Sequence, residues 1–551
     1  MFSSHRKNML FLLALTTVLY LVALGSHGLL DPDEGRYSEI PREMLESGDF
    51  ITPRLNYVAY FEKPVLHYWL TALSFKVLGQ NEFAARFFPA MLAMAGVFVT
   101  YWLADRMYGP RAAFLSAWIL ATSLVYFAIG QINITDMPLS FFMTLSLAGF
   151  WMGYRRDRKY FLLFYLGMAL ALLTKGLVGV VLPAGVAFWW IVLTRKWEVV
   201  RKTIYLPGLA IFFLVAAPWF VLVCMKNPDF FDFFFIQEHF LRYTTKMHGR
   251  FEPWWWFIPI IIVGSIPWTG FLPGAIADAL PSSIASPTRQ DRGKIFLLLW
   301  FGIIFLFFSI SNSKLIPYIV PVMPPLAILV GSFLDLHMDR GKTRSLGMGL
   351  LLNSLVLLLF GIAAAAYPFL DQRYGKELLP FVAPVAGVLI LLVVLSWTYY
   401  LKGESRKVVL ALCIFAFLNI ATFKNVFAFY DRIMSARDLA SAIREQVLPG
   451  DVVAQYRDYD QGLPFYLKRR IVLVDWWGEL EFGSRRGDQS DWFLDSGGFI
   501  ERYWDSDERI LLIMGEEQST DFLETGGVPP RILERIGDKM VITNKGDEGV
   551  Q

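Results

Sequence analysis

Charge and cysteine are the scarce ingredients of this 551-residue sequence. Asp, Glu, Lys and Arg together make up 18% of it, against about 25% in ordinary soluble domains. Only two cysteines occur, Cys224 and Cys413, both inside apolar runs and without a CxxC spacing. That excludes a disulfide scaffold and a cysteine-built metal site. The sequence also lacks a Walker motif, a G-x-G-x-x-G fingerprint, a zinc-ligand array and an internal repeat. Apolar side chains are abundant instead: 55% of residues are hydrophobic and 16% aromatic, with a mean hydropathy of +0.46. Disorder, a collagen-like chain and a typical cytosolic enzyme are excluded, which leaves a polytopic α-helical membrane protein. The aromatic share fits, because Trp and Tyr gather at bilayer interfaces.

Crossing about 30 Å of hydrocarbon takes about 20 apolar residues. Stretches near that length predict about thirteen spans, at roughly 9–28, 87–105, 112–129, 137–153, 160–174, 177–194, 204–224, 255–273, 295–310, 315–335, 346–367, 379–400 and 408–428. Arg6 and Lys7 precede an apolar run with no small-residue cleavage site after it, which predicts an uncleaved first span. With a cytoplasmic N-terminus, every short cytoplasmic loop is basic. These loops carry Arg106 and Arg111; Arg155, Arg156, Arg158 and Lys159; Arg195, Lys196, Arg201 and Lys202; Arg289, Arg292 and Lys294; Arg340, Lys342 and Arg344; and Lys402, Arg406 and Lys407. The opposite loops are nearly bare, as the positive-inside rule requires. An odd number of spans then places the C-terminal part outside. The net charge of +3 is spread over orientation signals and forms no continuous patch, so a nucleic-acid partner is excluded.

Residues 1–430 thus read as the membrane domain. Its first external loop, 29–86, contains two apolar stretches at helical spacing, one ending at Gly48 and one over about 64–79, which predict interfacial helices. A second external loop, 225–254, carries Phe230, Phe231, Phe233, Phe234 and Phe235 before Trp254, Trp255 and Trp256. From about 431 to 551 the composition turns polar. Short apolar runs at Val452–Ala454, Ile471–Val474, Ile510–Met514 and Met540–Thr543, with a helical pattern over Ala436–Val447, predict a small external α/β domain.

Four groups of residues could carry chemistry. Asp31-Pro32-Asp33-Glu34-Gly35-Arg36-Tyr37 sits just beyond the first span. It reads either as an acidic helix start or as a carboxylate aligning a polar substrate. Tyr60-Phe61-Glu62-Lys63-Pro64 puts Lys63 at headgroup level, where a lysine binds phosphate or simply snorkels. In Asn133-Ile134-Thr135-Asp136-Met137-Pro138 the spacing favours a helix cap by Thr135 or Asp136. Lys175, Arg242 and Lys314 are the rare cations on the external side, and boundary charges of that kind are functional candidates. His239 beside Glu238 reads as a hydrogen-bonded histidine or a metal ligand paired with Glu62.

In order and approximate spacing these segments resemble the polyprenyl-phosphate-dependent glycosyltransferases of the GT-C fold, and within them the aminoarabinose–lipid A transferases. The resemblance rests on Pro32-Asp33-Glu34-Gly35-Arg36-Tyr37-Ser38-Glu39-Ile40, Arg42-Glu43-Met44-Leu45, Tyr60-Phe61-Glu62-Lys63-Pro64, Asp136-Met137-Pro138, Thr174-Lys175-Gly176, Glu238-His239 with Arg242, Lys314 with Tyr318, and Gly478-Glu479-Leu480. It implies an enzyme of the bacterial inner membrane with about thirteen spans and a periplasmic C-terminal domain. It further implies an undecaprenyl-phosphate sugar donor and a lipid A or lipopolysaccharide acceptor, with no cofactor needed for the chemistry. By residue it implies an acidic catalytic pair, Asp33 and Asp136; carrier-phosphate contacts from Lys63, Lys175 and Arg242; and a substrate cavity with Glu34, Arg36, Tyr37, Tyr60, Lys314 and Tyr318. Glu62 and His239 match a zinc-binding position. One departure stands out. The family's Gly-Lys-Leu-Pro-Thr-Tyr reads here Ser313-Lys314-Leu315-Ile316-Pro317-Tyr318, which leaves the sugar open. Two other readings share these residues: a transferase with a hydroxyl acceptor, and a flippase for a lipid-linked sugar.

Overall fold

The structure is a computed structural model that describes residues 5–241, 252–283, 286–370, 375–524 and 528–545. Its contacts divide into two compact units. One comprises Met1–Leu24, Lys63–His67 and Arg86–Phe429; the other comprises Gly25–Glu62, Tyr68–Ala85 and Tyr430–Gln551.

The first unit is helical, and a helix occupies each of the thirteen expected span positions. Among the described residues, seven are long and apolar enough to cross a bilayer: Glu82–Tyr108, Leu206–Lys226, Arg289–Ile310, Ile316–Met338, Arg344–Leu370, Gly375–Leu401 and Ser405–Phe423. The helices Phe257–Gly264 and Thr269–Ala279, bent by 114°, would make an eighth. The remaining five positions hold shorter or more polar helices. Asp136–Arg155 is one of them, and most of its residues are buried inside the protein.

Small residues let these helices approach closely. A Cβ at Gly149 would stand 2.6 Å from Phe164 N, and one at Gly167 would stand 2.7 Å from both Phe142 O and Ser146 N. Buried indoles satisfy their N–H groups on neighbouring helices. Trp190 donates to Arg292 O at 2.9 Å and Trp300 to Pro321 O at 3.0 Å.

The second unit is built on a six-stranded sheet. With β1 (Arg54–Leu55) and β2 (Val58–Ala59) forming a separate ribbon, the sheet strands are β3 (Val452–Tyr456), β4 (Val472–Val474), β5 (Phe493–Leu494), β6 (Ile510–Gly515), β7 (Arg531–Ile536) and β8 (Lys539–Thr543). Their order is β5-β4-β3-β6-β8-β7. The first four are parallel neighbours, with Val452 opposite Ile510; β8 pairs antiparallel with both β6 and β7. Parallel strands covered on both faces need continuous apolar runs, and Ile510–Met514 is buried throughout. The core joins Tyr456, Val474, Phe499, Trp504 and Leu512. The four strands and the helix expected from sequence are present, the helix as Arg437–Gln446. Two strands had no such signal: β5 has two residues, and β7 is a mostly exposed edge.

Most of the loop 29–86 belongs to this unit, as Gly25–Glu62 and Tyr68–Ala85. Asn56 bonds both backbone groups of Ile471, donating at 2.9 Å and accepting at 3.0 Å. Gly35 lies against Gly462, whose nitrogen would be 2.3 Å from an added Cβ. Leu29, Phe75, Ala84, Ala85 and Phe465 make a small apolar core. The expected helices of this loop are Asp33–Ser47 and Leu66–Leu78.

Candidate active site

Each unit holds one cluster of candidate residues. In the second unit the cluster starts at the helix Asp33–Ser47, whose first turn carries Asp33 and Glu34 where acids suit the positive end of the helix dipole. Arg36 projects from that turn and is buried. Its guanidinium forms ion pairs with Asp33 and Glu479 and donates to the Tyr60 hydroxyl at 3.0 Å. It also lies 5.2 Å from the centre of the Tyr37 ring and 5.7 Å from that of Tyr60. Glu479 accepts further bonds from Tyr60 and from the Gln461 amide. Burial works against the Arg36 charge, but Tyr60, Glu479, Tyr37 and Asp33 more than offset it and hold the group above the ordinary arginine value. Arg36 is therefore a fixed cation, aimed by a planar fork that lysine could not imitate. Burial raises the Tyr37 and Tyr60 phenols well above their usual value, so both act as neutral hydrogen-bonding groups. Asp33 stays half exposed, with 49% of its side-chain surface open.

Glu479 is the main addition to the residues proposed from sequence. Its run was part of the resemblance, but its pairing with a residue 443 positions away has no local signature. Glu34 has a local task as well: it is buried and accepts from Leu30 N at 3.0 Å.

In the first unit a helical hairpin makes the second cluster. Asp136 opens the helix Asp136–Arg155, and Lys175 closes the helix Phe161–Lys175. Because the two run antiparallel through a short turn, their side chains meet in an ion pair. Each charge also suits the dipole at its own helix end. The Lys175 ammonium stands 4.3 Å from the centre of the Tyr318 ring, a cation–π contact. The cap expected from Thr135 or Asp136 is not formed: Thr135 is the N-cap but makes no side-chain cap bond, because Asp136 is drawn instead to a cation 39 residues on. Lys314 is buried and donates to Glu252 O at 2.7 Å and Ser311 O at 2.6 Å, so it braces a loop ahead of the Tyr318 helix.

Lys63 and Glu62 are half buried at the junction of their two chain segments. Arg242 and the side chain of His239 lie outside the described residues. Among the described residues no three His, Cys, Asp or Glu side chains gather as a metal site.

Comparison with known proteins gives this arrangement a class. Residues 8–234 match the family model for dolichyl-phosphate-mannose-protein mannosyltransferase, and residues 439–544 match that for the aminoarabinose transferase C-terminal domain. The fold is similar to the crystal structure of ArnT from Cupriavidus metallidurans bound to undecaprenyl phosphate, at a TM-score of 0.86 and 29% identity over 100% of both chains. More distantly it shares the fold of the archaeal oligosaccharyltransferase AglB from Archaeoglobus fulgidus, at a TM-score of 0.53 and 12% identity over 94% of this chain and 70% of that one. The protein is a multi-pass membrane glycosyltransferase of the GT-C fold.

In sequence, the undecaprenyl phosphate-alpha-4-amino-4-deoxy-L-arabinose arabinosyl transferase 2 of Pseudomonas fluorescens (strain Pf0-1) is 32% identical over 496 residues, 87% of either chain. The chain belongs to the family of undecaprenyl phosphate-aminoarabinose arabinosyl transferases.

Proposed function

We propose that this enzyme transfers 4-amino-4-deoxy-L-arabinose from undecaprenyl phosphate to a phosphate of lipid A, on the periplasmic side of the bacterial inner membrane. The N-terminus is then cytoplasmic, the loop charges orient about thirteen spans, and the C-terminal domain is periplasmic. The observation that carries the reading is the Asp136–Lys175 pair against Tyr318: a cation with only 10% of its side-chain surface open and protons to spare, suited to a lipid phosphate.

In the reaction the bond between the anomeric carbon and the carrier-phosphate oxygen breaks, and its electrons leave with undecaprenyl phosphate. That group departs as an anion and needs cations more than a general acid. Lys175, with Lys63 and Arg242, stabilises the charge as it develops, typically the largest catalytic contribution. Asp136 holds the Lys175 ammonium in place. An oxygen of the acceptor phosphate forms the new bond to the anomeric carbon from the opposite side, with inversion. The acceptor is already ionised, so Asp33 need not take a proton. It binds the sugar ammonium or aligns the acceptor, while Arg36, fixed by Glu479 and Tyr60, offers a cation to acceptor phosphate. A dry site limits hydrolysis of the donor.

A hydroxyl acceptor, with Asp33 as general base, is the second reading; the match of residues 8–234 to a protein mannosyltransferase model favours it. Mass spectrometry of lipid A from cells with and without the gene tests both. The first reading expects an aminopentose-sized mass gain that needs the gene and a lipid A phosphate. A gain on lipid A lacking its phosphates would favour the hydroxyl, and no gain on lipid A at all would remove the acceptor assignment.

A further inference from the structure

A groove of about 740 Å³ opens in the second unit, lined by cations that the reaction above does not use. Arg437 and Arg444 reach it from the helix Arg437–Gln446, and Lys468 and Arg469 from the end of the short helix Leu463–Leu467. Glu82 is the one carboxylate in its lining. Arg437 is already neutralised by Asp431 and lies 4.0 Å from Glu82. The other three differ. Arg444 donates to Tyr466 O at 2.6 Å and Arg469 to Asp451 O at 3.1 Å, while the Lys468 ammonium stands 4.1 Å above the Phe465 ring. Among the described residues none of these three has a carboxylate within salt-bridge distance. Burial and the Arg42 and Arg444 cations outweigh the Glu39 and Glu82 carboxylates at Lys468 and push its ammonium down to about 8. Positive charges crowded into one concavity repel each other unless an anion joins them.

The chain itself places this groove at a membrane surface. Gln80, Asn81 and Glu82 line it, and the membrane-crossing helix Glu82–Tyr108 begins there. The helix just before, Leu66–Leu78, leaves Leu73, Val77 and Leu78 exposed, as an interfacial helix does. Anions at that level are lipid phosphates. We propose that the groove is a binding site for the phosphate of an anionic lipid headgroup, held by Arg444, Lys468 and Arg469. The inference needs neither the sugar donor nor the transfer reaction.

Native mass spectrometry of the full chain in detergent tests it without an activity readout. Phosphatidylglycerol is offered against phosphatidylcholine with the same acyl chains, and lipid A in a parallel arm. The expected result is preferential retention of a phosphate-monoanion lipid over the zwitterion, falling about fivefold for each cation removed in R444A/K468N/R469A. K468N alone loses no hydrogen bond, and asparagine tolerates the left-handed backbone at that position (φ 56°). It therefore keeps the test valid if the triple variant folds poorly, and it too should lose about fivefold. The variant R485A/R502A/R535A removes three cations of the same unit, each paired elsewhere, and should keep its lipid. Preference for phosphatidylglycerol identifies bulk phospholipid as the occupant; preference for lipid A alone identifies the glycolipid. Equal retention of phosphatidylglycerol, lipid A and phosphatidylcholine by the native protein would overturn the proposal. So would undiminished binding in K468N, or an equal loss in the R485A/R502A/R535A control.

Discussion

The network around Arg36 shows how much one side chain organises in this protein. A buried guanidinium is costly unless it is paired. Here two carboxylates and a phenol take the terminal nitrogens and two aromatic faces flank the group, while the buried Nε has no hydrogen-bond partner among the described residues. A neighbour in the same helix start has a different fate. The Asp31 carboxyl is raised well above the usual range, first by burial and then by the negative charge of Asp460. Its folded-state affinity for a proton thus exceeds that of the unfolded chain, where an aspartate titrates near about 3.9. Stability from this group is full below that pH and is lost as pH rises through the folded value. Asp31→Asn removes the loss. Thermal melts should show the variant more stable than the native protein at pH 8, with the difference shrinking toward zero by pH 4. A variant that is destabilised at pH 8 would mean that the charge is held there by contacts stronger than its burial cost.

At the scale of elements, the hairpin Asp136–Arg155 and Phe161–Lys175 delivers the Asp136–Lys175 pair. Its closeness depends on glycines that meet backbone, not flexible side chains. Gly167→Val should therefore force the helices apart, at about 1–3 kcal/mol for overpacking, and lower transfer along with melting temperature. Unchanged melting and activity would show that the hairpin tolerates the displacement.

Long apolar runs made the helix positions legible in sequence, and alternation of short apolar runs with polar ones revealed the tail domain. The failures share a cause. Thr135 and Asp136 look like a cap because local spacing is all that a sequence shows, and the ion pair that wins lies on the next helix. Lys314 has a structural task that its charge alone does not reveal: its ammonium holds the Glu252 and Ser311 carbonyls. The edge strand β7, with Arg531, Glu534 and Arg535, has the charged composition that protects sheet edges from unwanted pairing, and that same composition hides it.

For the whole molecule, most of the loop 29–86 belongs by contact with the C-terminal residues. Asn56 is the clearest fastening: one buried amide satisfies both the N–H and the carbonyl of Ile471. Asn56→Ala strands both groups, which should cost about 1–3 kcal/mol. Hydrogen exchange should then rise at Ile471 and along β4; protection equal to the native protein would show that another partner replaces the amide.

The central claim is that a few cations, Lys175 foremost, drive transfer from a lipid phosphate. Purified native protein and Lys175→Ala, supplied with a synthetic polyprenyl-phosphate aminoarabinose and lipid A, test it most directly. The account expects sugar transfer by the native protein and a fall of about 10²–10³-fold in turnover on losing the cation. Transfer by Lys175→Ala at the native rate would contradict it.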